Sequence, residues 1–146
     1  MRIMALDIGE KRIGVAISDE LLLTAQGLGV LSSKGVAKDL VQIAELMNKH
    51  EVTHLVLGLP RNMNGSYGPM AEKVRDFGCK LAEKQPDIPV DYWDERLSTA
   101  AAQRVLIDAD MSRKRRRQVV DKVAAVLILQ GYMDFIARKR VVPVQD

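Results

Sequence analysis

Cysteine is nearly absent from this sequence: Cys79 stands alone among 146 residues. A lone thiol excludes a disulfide framework and a cysteine-based zinc cluster, and it fits a reducing, cytoplasmic setting. Histidine is almost as scarce, with only His50 and His54, so no His/Cys set is available to select zinc. Aromatic residues make up 4% of the chain, too few for the stacking platforms that hold long single strands. No apolar run approaches the roughly 20 residues needed to cross a bilayer. The stretch Val123 to Leu129 is too short, and Met1 to Gly9 carries Arg2 and Asp7, unlike a signal peptide. Linkers, repeats and low-complexity segments are missing as well. The length suits one domain spanning residues 1–146, without membrane association.

Charge is present, but unevenly. Residues 1–100 hold 12 basic and 14 acidic side chains, whereas residues 101–146 hold 10 basic and 5 acidic ones. The surplus comes from one run, Arg113-Lys114-Arg115-Arg116-Arg117, on a body that is slightly acidic without it. Such a run fits a polyanion such as nucleic acid, with a solvated helix face as the plain alternative.

Patterning orders the chain as β-β-β-α-β-α-β-α-α. Arg2 to Asp7 and Arg12 to Ser18 read as strands joined by a short Gly-containing turn, hence antiparallel neighbours. Gly27 to Leu31 extends the meander. Apolar residues at helical spacing predict a helix over 35–50, and Val52 to Leu57 a strand stopped by Gly58-Leu59-Pro60. A loop over 61–69 leads to a helix over 70–84 and a short strand over 90–93. Ser98 or Thr99 caps a further helix, and the last helix covers about 112–137. Alternation after a meander predicts an α/β layered domain with a mixed five-stranded sheet flanked by helices.

Three carboxylates stand out. Asp7 ends the first strand just before Gly9, where a side chain projects past the sheet toward the usual ligand crevice, unless it merely caps its own turn. Asp94-Glu95-Arg96 follows the strand over 90–93; since successive side chains alternate, Glu95 facing the crevice sends Asp94 elsewhere. Asp121 shares a helical stripe with Ala124, Ala125, Ile128, Leu129 and Tyr132, and a carboxylate on a buried stripe needs a cation or donor. Acids at two strand ends and one sheet-facing helix can converge, and their repulsion is relieved by a divalent cation. An all-oxygen set suits Mg²⁺ or Mn²⁺. Beside a basic patch, such a site matches phosphodiester cleavage, in which one ion activates water and another steadies the leaving oxygen.

Asp7-Ile8-Gly9, Lys11-Arg12-Ile13-Gly14-Val15-Ala16, Gly58-Leu59-Pro60, Asp94-Glu95-Arg96-Leu97-Ser98-Thr99 and Asp121-Lys122-Val123-Ala124-Ala125 together resemble the YqgF family, also called RuvX. The match runs through essentially the whole chain in order and spacing. It implies an RNase H-like fold and a metal-dependent nuclease, with Asp7, Glu95 and Asp121 as catalytic and metal-holding residues. Family members are described as nucleases maturing the 5′ end of pre-16S ribosomal RNA and as Holliday junction resolvases. The first assignment is preferred, which places precursor rRNA, within ribosomal precursor particles, as the substrate of a monomer or weak homodimer. The family's loop commonly reads Met-Asp-Gly, where this chain has Met63-Asn64-Gly65.

Lys11, Arg12 and Arg96, next to these carboxylates, are expected to contact phosphate, and Arg113, Lys114, Arg115, Arg116 and Arg117 to hold the backbone. Tyr67 is available for stacking. Trp93, Met4, Met47 and Met133 read as core, and Cys79 as a small buried filler. Rival readings are a resolvase acting on branched, four-way DNA and a non-catalytic nucleic-acid-binding factor in transcription or ribosome assembly. Asp7-Ile8-Gly9 followed by Gly14-Val15-Ala16 also resembles the first phosphate motif of actin-type and sugar-kinase ATPases, but those need two domains around a cleft.

Overall fold

The computed structural model describes residues 1–62, 64–94 and 113–141, with side chains in the last segment from 123 to 138. The predicted helix after Ser98 or Thr99 lies outside these residues.

β1 (Ile3–Ile8) is buried along nearly its whole length, because it is covered on both faces. Its odd and even positions feed two separate cores. Met4, Leu6 and Ile8 join Ile13, Val15, Ile17, Leu55, Leu57 and Leu59 on one face, whereas Ile3 and Ala5 join Ala16 and Val56 on the other. β2 (Arg12–Ser18) pairs antiparallel with β1, from Met4 opposite Ile17 to Ile8 opposite Ile13. The turn between them closes on a hydrogen bond from the Gly9 amide to the Arg12 carbonyl at 2.8 Å. β3 (Ala25–Ser32) pairs antiparallel with β2, with a register shift at Val15/Ala16. In the preceding loop, Asp19 Oδ1 accepts the amides of Leu23 and Thr24, which holds its carboxyl below the usual range.

α1 (Val36–Lys49) and α2 (Pro69–Lys84) cover the first face through Leu40, Ile43 and Met47 and through Ala71, Val74, Phe77 and Leu81. Asp39, in the opening turns of α1, is buried, and its carboxylate accepts the Ser33 hydroxyl and the Lys34 amide. Pro69 opens α2, at a position where its missing N–H is not needed. β4 (His54–Leu59) and β5 (Val90–Asp94) extend the sheet in parallel, giving the order β3-β2-β1-β4-β5. α3 (Arg113–Val141) lies on the second face, where Ala124, Ala125, Ile128, Leu129 and Met133 are buried against β1, β2 and β4. No helix among the described residues is long and apolar enough to cross a membrane.

Three local expectations are corrected. The fourth strand runs from His54 to Leu59 instead of Val52 to Leu57. The Val52 amide is still bonded to Met47 at the end of α1, while Gly58 and Leu59 pair with Trp93 and Asp94. The third strand is longer than Gly27 to Leu31, since Ala25 and Gln26 pair with Ser18 and Ile17. Cys79 is exposed, not a buried filler. Phe77, Gly78 and Leu81 form the inward face of α2, and Cys79 falls on its outer side.

Candidate active site

β1, β4 and β5 run parallel, so their carboxyl ends lie along one edge of the sheet. Ligands of α/β sheets bind at such an edge. Asp7 stands there, half-buried, near the end of the central strand. By strand alternation it shares the α3 side with Ile3 and Ala5. Its surroundings on that side are unusually small. Its register partner on β2 is Gly14, and because Leu6 pairs with Leu57, the next β4 position beside Asp7 is Gly58. Ala5 and Ala16 continue this floor. The sheet positions flanking Asp7 on both sides therefore carry no side chains.

Asp94, at the end of β5, points away from that side. It forms an ion pair with Arg61 at 3.7 Å, while Asp91 and Trp93 face α3. Asp94 therefore lies on the α2 side of β5. Glu95 and Arg96 lie outside the described residues. Asp121 and the 113–117 run are placed as backbone within α3, where Asp121 comes one turn before Ala125, and their side chains lie outside the description.

Lys11 is exposed in the β1–β2 turn, and Arg12 opens β2 opposite Ser32. Both flank the turn that follows Asp7. His54 stands at the amino end of β4, at the opposite edge from Asp7, with Nδ1 on the Thr53 hydroxyl at 2.9 Å; burial holds its pKa below the ordinary value. It has no place in chemistry at Asp7. Met4, Met47 and Met133 are core as expected, and Trp93 packs into the α3-side cluster, edge-on to Tyr132 at 6.1 Å between centroids.

Two features went unread in the sequence. Lys73, in the second turn of α2, donates to the Gly9 carbonyl at 3.4 Å and so touches the turn after Asp7. Tyr67 carries two guanidiniums, Arg61 at 4.7 Å and Arg75 at 4.2 Å from the ring centroid. Only the helical spacing from Pro69 onward hints that Lys73 and Arg75 share one end of α2. Asn64 accepts the Ser66 amide at 3.0 Å and the Ser66 hydroxyl at 2.6 Å, a turn-forming role that needs an acceptor and no charge.

A protein of Heliobacterium modesticaldum is 60% identical to this chain over 134 residues, covering 92% of this chain and 89% of its own. One of Moorella thermoacetica is 55% identical over 141 residues, covering 97% and 100%. Both carry the name "Putative pre-16S rRNA nuclease". Among solved structures, Thermus thermophilus RuvC in complex with a Holliday junction substrate superposes with a TM-score of 0.61 at 13% identity, covering 97% of each chain. The yeast mitochondrial Holliday junction resolvase Ydc2 does so with 0.60 at 14%, covering 96% of this chain and 80% of that one. These likenesses establish an RNase H-like fold. The family model described as "RuvX: Holliday junction resolvase" matches residues 1–135, and the chain belongs to the RuvX family.

Proposed function

We propose that this chain is a metal-dependent nuclease that hydrolyses phosphodiester bonds of precursor 16S rRNA in the cytoplasm. The carrying observation is Asp7: a half-buried carboxylate at the carboxyl edge of the central strand, over the Gly14 and Gly58 positions, in a chain 60% identical to a relative named for that activity. Asp7, Glu95 and Asp121 would hold Mg²⁺ or Mn²⁺, and we take them to share two ions. The fit is chemical: Asp7 offers a hard oxygen donor, as those ions require, while His54 stands at the opposite edge and Cys79 on the outer face of α2. When bound, a divalent cation supplies Lewis acidity toward water and the phosphodiester oxygens. The chain's own part is to hold Asp7 rigidly through the β1 pairings on both sides, and to meet the substrate backbone with Lys11, Arg12, Arg96 and the 113–117 run.

Cleavage of a pre-16S rRNA fragment by wild type and by Asp7→Asn tests this reading, with metal removed by chelator and restored. Loss of at least about 100-fold in kcat in the variant is expected, on the scale of removing one electrostatic element of a catalytic site. Equal rates would exclude Asp7 from the site. The family description favours a second reading, resolution of four-way DNA. That activity requires paired incision by two copies, so a junction substrate in the same assay, with the oligomeric state measured on it, separates the two.

A further inference from the structure

We propose that Arg75, stacked on Tyr67, is a preoriented phosphate-binding side chain that takes the substrate strand on the α2 side of the carboxyl edge, outside the carboxylate site; this rests on the nuclease reading above. Tyr67 is 44% exposed and follows the end of β4 in the loop leading to α2. That loop is tied down. The Asn62 amide donates to the Ser66 carbonyl and the Gly65 amide to the Asn62 carbonyl, both at 2.8 Å. Arg61 fastens it further, with Nε and Nη2 donating to the Gly65 carbonyl at 2.9 and 2.6 Å and Nη1 facing the Asp94 carboxylate. Arg61 therefore spends its donors on the protein. Its role is to hold the loop that presents Tyr67.

Arg75 differs. It is exposed, and its guanidinium lies over the face of the Tyr67 ring. A contact with a ring face uses none of a guanidinium's N–H donors, and a guanidinium can grip a phosphate by two oxygens. Two acids of this region are engaged elsewhere: Asp76 binds Lys80 at 2.9 Å, and Asp94 faces Arg61. With its rotamers restrained by the ring, Arg75 loses little freedom on binding. The ring is in turn committed to two cations, so Tyr67 acts as a support for arginine and not as a base-stacking platform.

The position suits a nucleic-acid strand. Arg61, Tyr67 and Asp94 follow or end β4 and β5 at the edge where Asp7 stands near the end of β1, and Lys73 links α2 to the Gly9 carbonyl beyond it. A strand crossing this edge meets Asp7 on the α3 side and Arg75 on the α2 side. Arg75 would thus contribute to KM and salt dependence without touching the reacting atoms.

The test measures binding of a pre-16S rRNA fragment against salt concentration in the non-cleaving Asp7→Asn background with Mg²⁺, and steady-state cleavage in the otherwise native protein. Arg75→Gln should weaken binding about 3- to 10-fold near 0.1 M salt. It should also lower the slope of log K against log salt by about 0.7 to 0.9, the loss of one phosphate contact. Arg75→Lys should keep the slope and recover part of the affinity, while Tyr67→Leu should weaken binding with the slope kept. KM should rise with kcat within about twofold. Binding and slope unchanged in Arg75→Gln would overturn this proposal alone. A fall in kcat at constant KM would overturn it as well, and a wild-type protein that neither binds nor cleaves the RNA would overturn it together with the nuclease reading.

Discussion

The docking of α2 on β5 sets where Lys73 and Arg75 stand, and Gly78 reports on it. Gly78 is buried on the inward face of α2. A Cβ built there collides with the Tyr92 hydroxyl oxygen and lies 3.1 and 3.3 Å from Cζ and Cε1 of the same ring. Burial pushes the Tyr92 phenol pKa up, and its hydroxyl donates to the Arg75 carbonyl at 3.4 Å, so the ring is seated between helix and strand. Alanine at position 78 gains about 1 kcal/mol of helix propensity. Overpacking a seated ring costs about 1–3 kcal/mol, so the net loss should be about 0–2 kcal/mol. Tyr92→Phe removes the colliding atom at a cost of about 0.5–1 kcal/mol for the long hydrogen bond. The double variant should then recover about 1 kcal/mol relative to the sum of the single changes. In urea unfolding, with m near 2 kcal/mol per molar, Gly78→Ala should lower the midpoint by up to about 1 M. A raised midpoint for Gly78→Ala, or strict additivity with Tyr92→Phe, would refute the close approach of α2 to Tyr92.

Gly9→Ala places a Cβ 2.9 Å from the Arg12 carbonyl oxygen, the acceptor that closes the turn after Asp7. The turn must open, so RNA cleavage should fall about 10-fold or more while thermal melting shows a loss of only about 1–2 kcal/mol. Ser18 is buried, and its hydroxyl accepts the Ile3 amide at 2.8 Å. Ser18→Ala leaves that amide unpaired and should cost about 1–3 kcal/mol in urea unfolding with no change in m. Tyr132 donates to Asp91 at 2.5 Å, and burial first, then this bond, push its pKa up to about 12. The unfolded phenol ionises near 10 while the folded one keeps its proton. The unfolded state therefore binds fewer protons between pH 10 and 12, and stability falls as pH rises through that window. Tyr132→Phe should flatten this alkaline decline in Tm and, because the group is only partly buried, cost about 1 kcal/mol at neutral pH.

Periodicity carried most of the architecture. The five strands, the antiparallel start and the helices over α1, α2 and α3 follow from patterns of two and of about 3.6 residues, and the boundary errors have local causes. At β4, Gly58 and Leu59 looked like a stop because Gly-Leu-Pro reads as a turn, but β5 supplies pairing partners that no local pattern contains. Cys79 was misplaced because a small thiol suits either side of an amphipathic helix, and the choice depends on which stripe meets the sheet. Asp7 was legible because strand end, turn glycine and carboxylate are adjacent in sequence. The Arg61–Tyr67–Arg75 group was not. It joins a loop to the second turn of a helix, and its chemistry comes from stacking distances that residue order does not encode.

Two contrasting surfaces meet at the carboxyl edge, and the contrast follows from residue size. On the α3 side, Ala5, Gly14, Ala16 and Gly58 keep the sheet surface low beside Asp7. On the α2 side, the large residues Ile8, Ile13, Leu59 and Phe77 fill the layer, and the polar groups are carried outward by the loop and by α2. The loop keeps its shape through acceptors: the Gly65 carbonyl for Arg61, and the Asn64 amide oxygen for Ser66. An aspartate at position 64 would make the same bonds. Family members with Asp there and this chain with Asn64 can therefore share one loop geometry, while this chain places one negative charge fewer in the loop that carries Arg61 and Tyr67. The change of residue bears on how strongly the edge attracts a polyanion.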